Sequence, residues 1–307
     1  MDLIGQINQI LTANGYSAQF IPSYVQPVTR QDEKYLFHHI KKCGGMSIHS
    51  AITICMRLSI EAKAFPRTLI ARCDEDRDWR ALLNDYGDFL NRFFISSHNA
   101  GNHYNCLGSE IKRVSVFREP FDRALSYYQY DCMRQARQPV LSEFEDYLFS
   151  EENTSDYYSP FLSSEEAQSA KAVIERLDSE FFSFFDISGI ADFISGCISQ
   201  YGLPNIVMDK QNATLSRYQL PEAQNLKTKY SDHHRPEQEI FDWVKSNPRI
   251  PAVTNNGSLN KYTMVLNSQQ SEERYKGRAK LIETDKLFTL VARHKTESGL
   301  NAFFDIP

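Results

Sequence analysis

The stretch Lys34-Tyr-Leu-Phe-His-His-Ile-Lys-Lys-Cys-Gly-Gly-Met-Ser-Ile-His49 constrains the fold more than any other part of this chain. An apolar run closes on two lysines, two glycines and a serine, then enters a helix-like segment. That order predicts a strand, a tight turn and a helix N-terminus. Such a turn presents backbone N–H groups, and the helix dipole adds positive potential, so it suits a phosphate. A lysine at its mouth neutralises a second anionic group. The spacing is not that of a Walker A loop, whose lysine follows the second glycine, because Lys41 and Lys42 precede Gly44 and Gly45. It is not Gly-x-Gly-x-x-Gly either. A glycine turn that merely links strand to helix is the plain alternative.

A second segment, Ile111-Lys-Arg-Val-Ser-Val-Phe-Arg-Glu-Pro-Phe-Asp-Arg-Ala-Leu-Ser-Tyr-Tyr-Gln-Tyr130, narrows the choice. Ile111, Val114, Val116 and Phe117 predict a buried strand. Pro120 then starts a helix, where its missing N–H costs nothing. Arg118 closes the strand, and Ser126 falls about two turns into the helix. A guanidinium fork and a hydroxyl converging there suit a terminal phosphate.

Together the two segments resemble the sulfotransferases that use PAPS (3′-phosphoadenosine 5′-phosphosulfate), closest to the carbohydrate branch with its heparan 2-O-type and Golgi enzymes. That family's first loop reads approximately His-Ile-Pro-Lys-Thr-Gly-Gly-Thr-Ser; here it reads His39-Ile40-Lys41-Lys42-Cys43-Gly44-Gly45-Met46-Ser47. Its second motif, Arg-Asp-Pro-x-x-Arg-x-x-Ser-x-Tyr-Tyr, is matched by Arg118, Glu119, Pro120, Arg123, Ser126, Tyr127 and Tyr128. The resemblance implies that Lys42, Cys43, Gly44, Gly45, Met46 and Ser47 hold the 5′-phosphosulfate, with Lys42 catalytic. It implies that Arg118 and Ser126 hold the 3′-phosphate. Cys43 and Met46 stand where the family has threonines, so two hydroxyl donors are missing. Arg123 is expected in a structural ion pair, and Tyr127 and Tyr128 in core packing. A fainter echo lies at Phe185–Ile198, where a packed core helix is a sufficient reading. The resemblance spans roughly residues 34–245.

Transfer to a hydroxyl needs a proton acceptor, and histidine titrates near neutrality. Phe93-Phe-Ile-Ser-Ser-His98 predicts a strand ending in a histidine. If the strands at 35–40, 92–97 and 111–117 are parallel neighbours, their C-terminal ends gather Lys42, His98 and Arg118 on the edge where open α/β sheets bind ligands. The resemblance makes His98 the base, with His103 as the alternative. His38 and His39 alternate faces of the first strand. His233 and His234 lack a ligand set at metal spacing and read as solvent-facing.

At 307 residues the chain suffices for one large α/β domain. A net charge of −5 argues against a nucleic-acid binder. Six cysteines without Cys-x-x-Cys pairing read as reduced thiols rather than a disulfide framework or zinc site. No apolar run approaches ~20 residues, so no transmembrane helix is expected. The N-terminus lacks a basic segment ahead of its apolar residues and reads as a short amphipathic helix docked on the domain. A soluble, cytoplasmic enzyme is expected.

The predicted architecture is α/β: a P-loop-like three-layer fold, a central parallel sheet flanked by helices, plus a C-terminal β-rich extension. Residues 1–246 form the main domain and 247–307 the extension, packed on it, capping the substrate cleft or mediating self-association. Ser142-x-x-Glu145 predicts a capping box and Glu165–Phe182 a helix. Residues 203–232 read as polar and irregular, with Lys210, Arg217 and Lys227 in solvated loops. Lys261–Leu266 and 279–293 read as strands. The expected activity is transfer of the sulfuryl group from PAPS to a hydroxyl, a carbohydrate leading, with lipids, small phenols or alcohols and secondary metabolites open. No metal is expected. A noncatalytic PAPS- or PAP-binding protein and an ATP-dependent P-loop-like kinase are the rivals; the kinase lacks a metal-binding hydroxyl directly after its lysine.

Overall fold

The computed structural model describes residues 3–13, 18–25, 33–49, 51–52, 68–72, 92–101, 110–150, 153, 157–158, 160–163, 166, 169–200, 202–209, 218–251, 257–266, 280–284 and 286. His103, Lys210, Arg217, the cysteines at 55, 73 and 106, and most of the chain after residue 266 lie outside them.

Five strands, β2 (Glu33–His38), β3 (Thr68–Arg72), β4 (Arg92–Ser97), β5 (Lys112–Phe117) and β6 (Phe181–Asp186), form one all-parallel sheet in the order β3-β4-β2-β5-β6. The expected neighbours are present: β2 pairs with β4 from Glu33↔Arg92 to His38↔Ser97, and with β5 from Tyr35↔Lys112 to His38↔Ser115. Parallel strands are covered on both faces, so they read as near-continuous apolar runs. Leu36, Phe37, Phe94, Ile95, Val114, Val116 and Phe117 are all buried.

Helices flank this sheet. On one face lie α2, described at 45–49 and 51–52, and α6 (Ile190–Gln200), joined through Ile48, Ile52, Phe193, Ile194 and Ile198 to Phe37, Phe94 and Val116. On the other face α5 (Ala170–Glu180) and α8 (Arg235–Ser246) pack Val173, Leu177, Ile240 and Val244 against Phe117, Phe181 and Phe184. Helix α3 (Pro120–Arg134) follows β5; α4 (Leu141–Leu148) and α7 (Lys227–His233) pack around it through Phe121, Tyr128, Phe144 and Tyr230.

A second sheet has the order β1-β7-β8-β9, with β1 (Ala18–Ile21), β7 (Asn205–Asp209), β8 (Tyr262–Leu266) and β9 (Lys280–Glu283). β8 and β9, both expected as strands, pair antiparallel from Tyr262↔Glu283 to Val265↔Lys280. β8 also runs parallel to β7, which is antiparallel to β1, so a strand of the tail joins a sheet begun near the N-terminus. Helix α1 (Leu3–Ala13) docks on that sheet through Ile7 and Leu11 against Phe20 and Val207, as its amphipathic pattern predicts.

Several local expectations are corrected. The described residues within 203–232 are not irregular: they hold β7, a 3-10 turn at Pro221–Leu226 and most of α7. The helix expected over Glu165–Phe182 spans only Ala170–Glu180, capped by the Ser169 hydroxyl accepting from Ala172 N–H; the phenylalanines after it form β6. The capping box at Ser142 is not used. α4 starts at Leu141, and the Tyr128 hydroxyl accepts from the Val140 N–H at 2.8 Å in its place. His234 is buried, stacked on Tyr230 and bonded to the Leu148 carbonyl at 2.8 Å, whereas His233 is exposed.

Candidate functional site

Strand β2 lies between β4 and β5, and chain order makes it the first strand of the parallel sheet. From its C-terminal end the chain leaves toward β3; from the end of neighbouring β5 it leaves toward β6. The two connections diverge, opening a crevice at a topological switch point, where open α/β sheets take ligands. The residues after β2 are the glycine turn, and the residue after β5 is Arg118.

The turn has a defined backbone. Lys42 has φ +67° and Gly44 φ +78°, while Cys43 between them is not left-handed. Alternation of this kind folds successive N–H groups around a concavity that suits an anion. Holding a lysine at positive φ costs on the order of 1–2 kcal/mol, the sort of strain found at functional turns. Ser47 N–H donates to the Gly44 carbonyl at 3.0 Å, and Cys43 N–H to the Ile40 carbonyl at 3.4 Å. Helix α2 begins at Gly45, so the Gly45 and Met46 N–H groups have no helix carbonyl one turn earlier to receive them.

Burial, then repulsion from Arg118, lowers the Lys42 ammonium from 10.5 to about 8. Cys43 turns its thiol into the core beside Phe117 and Tyr157. Burial pushes that thiol up to about 11 even though the Arg118 backbone N–H is aimed at it. A ligand would therefore meet the backbone of Cys43 and not its side chain. Neither Lys42 nor Arg118 has a carboxylate partner among the described residues; the nearest acid in sequence, Glu119, caps α3 at the Asp122 N–H and pairs with Lys227 at 3.2 Å. Two cations on neighbouring connections, with no carboxylate partner among the described residues, give this edge a local positive potential.

Helix α3 supplies the opposite wall. Lys42 Nζ lies 4.0 Å from the Tyr130 ring centroid and Lys41 Nζ 5.7 Å from that of Tyr127. Ser126, one turn before Tyr130, therefore shares the α3 face that meets the turn, and it is buried. Met46 is exposed and Ser47 half-buried on α2. Arg123 is buried, and its Nη2 donates to the Asn153 side chain and, at 3.0 Å, to the Asn153 carbonyl, with Tyr157 under the guanidinium.

His98 follows β4 on the other side of β2. Its Nδ1 lies 2.6 Å from the His39 carbonyl. A carbonyl only accepts, so Nδ1 carries the proton and Nε2 is the basic nitrogen. The His39 ring tilts against the His98 ring with centroids 4.3 Å apart. His38, on the other face, donates from Nδ1 to the Pro160 carbonyl at 2.5 Å, and burial lowers it to about 3, so it stays neutral.

The structure thus brings Lys42, Cys43, Gly44, Gly45, Met46, Ser47, His98 and Arg118 to one sheet edge, with Ser126 on the facing helix. The contacts of Tyr127 and Tyr130 with the lysines, and of His39 with His98, were missed in the sequence. The only signal for the tyrosines was their three-residue spacing on a helix that starts at the site. Among the described residues no group of histidine, cysteine and acidic side chains is arranged to hold a metal ion, and no helix is long and apolar enough to cross a membrane. The chain matches no protein-family model, and comparison with functionally curated proteins finds no match.

Proposed function

We propose that this protein is a PAPS-dependent sulfotransferase of the sulfotransferase fold, moving a sulfuryl group to a hydroxyl acceptor. One observation carries the reading: the alternating-φ turn with Lys42 follows β2, Arg118 follows its parallel neighbour β5, and neither cation has a carboxylate partner among the described residues. A nucleotide with an anionic group at each end satisfies both. The residues fit such a group: an alternating-φ turn beside Lys42 for one end, and Arg118 with the buried Ser126 for the other. When bound, PAPS supplies the sulfuryl group and a phosphate leaving group.

The chain's own residues then have distinct tasks. Lys42 and the turn's N–H groups balance negative charge growing on the departing oxygen, in an environment where such preorganised donors count most. Arg118 fixes the nucleotide's far end and so its alignment. His98, held with Nδ1–H on the His39 carbonyl, offers Nε2 to the acceptor's proton. A carbohydrate acceptor follows from the resemblance of the motifs alone. The kinase reading is disfavoured by Cys43, whose buried thiol replaces the hydroxyl that would hold a metal after the lysine.

The test combines thermal shift with transfer. PAP (the desulfated product) should raise Tm well above the shift given by ADP or ATP, since a ligand of the folded state stabilises by mass action. Radiolabelled sulfur should pass from PAPS to a member of an acceptor panel of sugars, phenols, alcohols and lipids. Equal shifts for PAP and ADP remove the case for a 3′-phosphate site. A PAP-selective shift with no transfer supports a noncatalytic binder.

A further inference from the structure

The His39 imidazole sits between the two halves of the candidate site. Its ring is buried and tilted against His98 at 4.3 Å. Its neighbours include the Phe37 ring, stacked at 5.2 Å, and the Ser96 hydroxyl, 3.4 Å from Nδ1. Its Nε2 edge meets the glycine turn so closely that a Cβ on Gly45 would stand 2.2 Å from Nε2 and 2.3 Å from Cδ2. Real side chains do not approach to that distance, so Gly45 is a glycine because the ring occupies the space. Its backbone carbonyl also accepts from His98 Nδ1. One residue therefore fixes the tautomer of His98, bears on its ring and rests against the turn.

We propose that His39 is a positioning residue, a brace that sets the distance between the glycine turn and His98 and keeps the basic nitrogen of His98 oriented for proton transfer. The assignment rests on the sulfotransferase reading for what that proton transfer serves, but the brace is measurable apart from it. The ring's contacts with His98, Phe37 and Gly45 are stacking and close approach, so a ring of similar shape should keep them. Outer partners that orient a functional histidine contribute roughly 10- to 100-fold when removed.

The experiment compares His39→Phe, His39→Ala, Gly45→Ala and the Gly45→Ala/His39→Ala double variant on the full chain. Nitrogen NMR of His98 in the wild type should show the Nδ1–H tautomer; the Nε2–H tautomer would overturn the proposal whatever the enzyme's activity. His39→Ala should shift or broaden the His98 nitrogen signals and lower kcat roughly 10- to 100-fold, more than it changes KM for PAPS. His39→Phe should restore most of both. Gly45→Ala should lower Tm, and the double variant should recover part of the loss because the collision is gone. Unchanged His98 signals in His39→Ala, or a double variant less stable than Gly45→Ala, would also overturn it. If the wild type transfers no sulfuryl group, the transfer reading fails, while the tautomer and double-variant results still judge the brace.

Discussion

Replacing Lys42 by methionine should make the ligand-free protein more stable. The ammonium group is lowered from 10.5 to about 8 by burial and then by Arg118. At roughly 1.4 kcal/mol per pH unit, holding it charged costs at most about 3 kcal/mol. The group is partly solvated, so relaxation and screening leave about 1–2 kcal/mol. Methionine keeps the length of the side chain and suffers the same positive φ, so the backbone strain cancels in the comparison. A gain of that size raises Tm by about 2–5 °C for a chain of this order. The sign with pH follows from linkage. The folded protein holds this proton less tightly than the unfolded chain does, so the penalty is fully present below pH 8. It fades as pH rises from about 8 to 10.5. The advantage of Lys42→Met should therefore be largest near neutrality and shrink above pH 9. In the presence of PAP the order should reverse, because the anion stabilises only the chain that keeps its lysine. Denaturant titrations with and without PAP at pH 7 and pH 9.5 measure all of this. A variant that is less stable without ligand, and responds to PAP like the wild type, would show Lys42 to be structural and the reasoning mistaken.

Other outcomes can be read beside that one. Gly44→Ala should lose about 1–2 kcal/mol, because its φ of +78° disfavours a side chain and the new Cβ would meet Ile190 Cδ1 at 2.5 Å; a neutral result in denaturant melts would mean that the turn tolerates another backbone. Arg118→Gln should reduce the preference for PAP over ADP in a competition assay and raise the pKa of Lys42; a preserved preference would assign the 3′-phosphate elsewhere. His98→Ala should lower turnover by roughly 10²- to 10⁴-fold with PAP affinity nearly intact, and unchanged turnover would dismiss it as the base. His38 holds its proton less tightly when folded, at about 3 against 6.5. Its contribution is complete above pH 6.5 and is lost as pH falls toward 3, removing roughly 2 kcal/mol by pH 5; His38→Gln should flatten that part of the stability profile.

What could be read from the sequence was set by local pattern. β2, β4 and β5 announce themselves as buried apolar runs, and each ends in a residue type (Lys42, His98, Arg118) that has no reason to be inside a core. Their parallel pairing follows from the long connections between them. β7 escaped notice because Ile206, Val207 and Met208 are flanked by asparagine and aspartate, and its partners lie near residues 20 and 264. No local signal encodes pairing at that distance. His234 looked like a surface residue in a polar stretch, yet α4 supplies a carbonyl to it from 86 positions away. The unused capping box at Ser142 has the same cause, since a tyrosine from α3 reaches the Val140 N–H first. At the site, residue types were legible but conformation was not. The left-handed backbone of Lys42, the inward turn of Cys43 and the wedge of His39 against Gly45 all depend on how α2, α3 and β4 crowd one sheet edge.

The most direct check is calorimetric titration of the full chain with PAP and, separately, with ADP. The two ligands share adenosine and differ in where their phosphates sit, so they ask whether the crevice between β2 and β5 has an anion pocket at each side. Clear heat and tight binding for PAP, with ADP far weaker and the gap closing in Arg118→Gln, is the predicted result. Indistinguishable affinities, or no binding of either ligand, would contradict it.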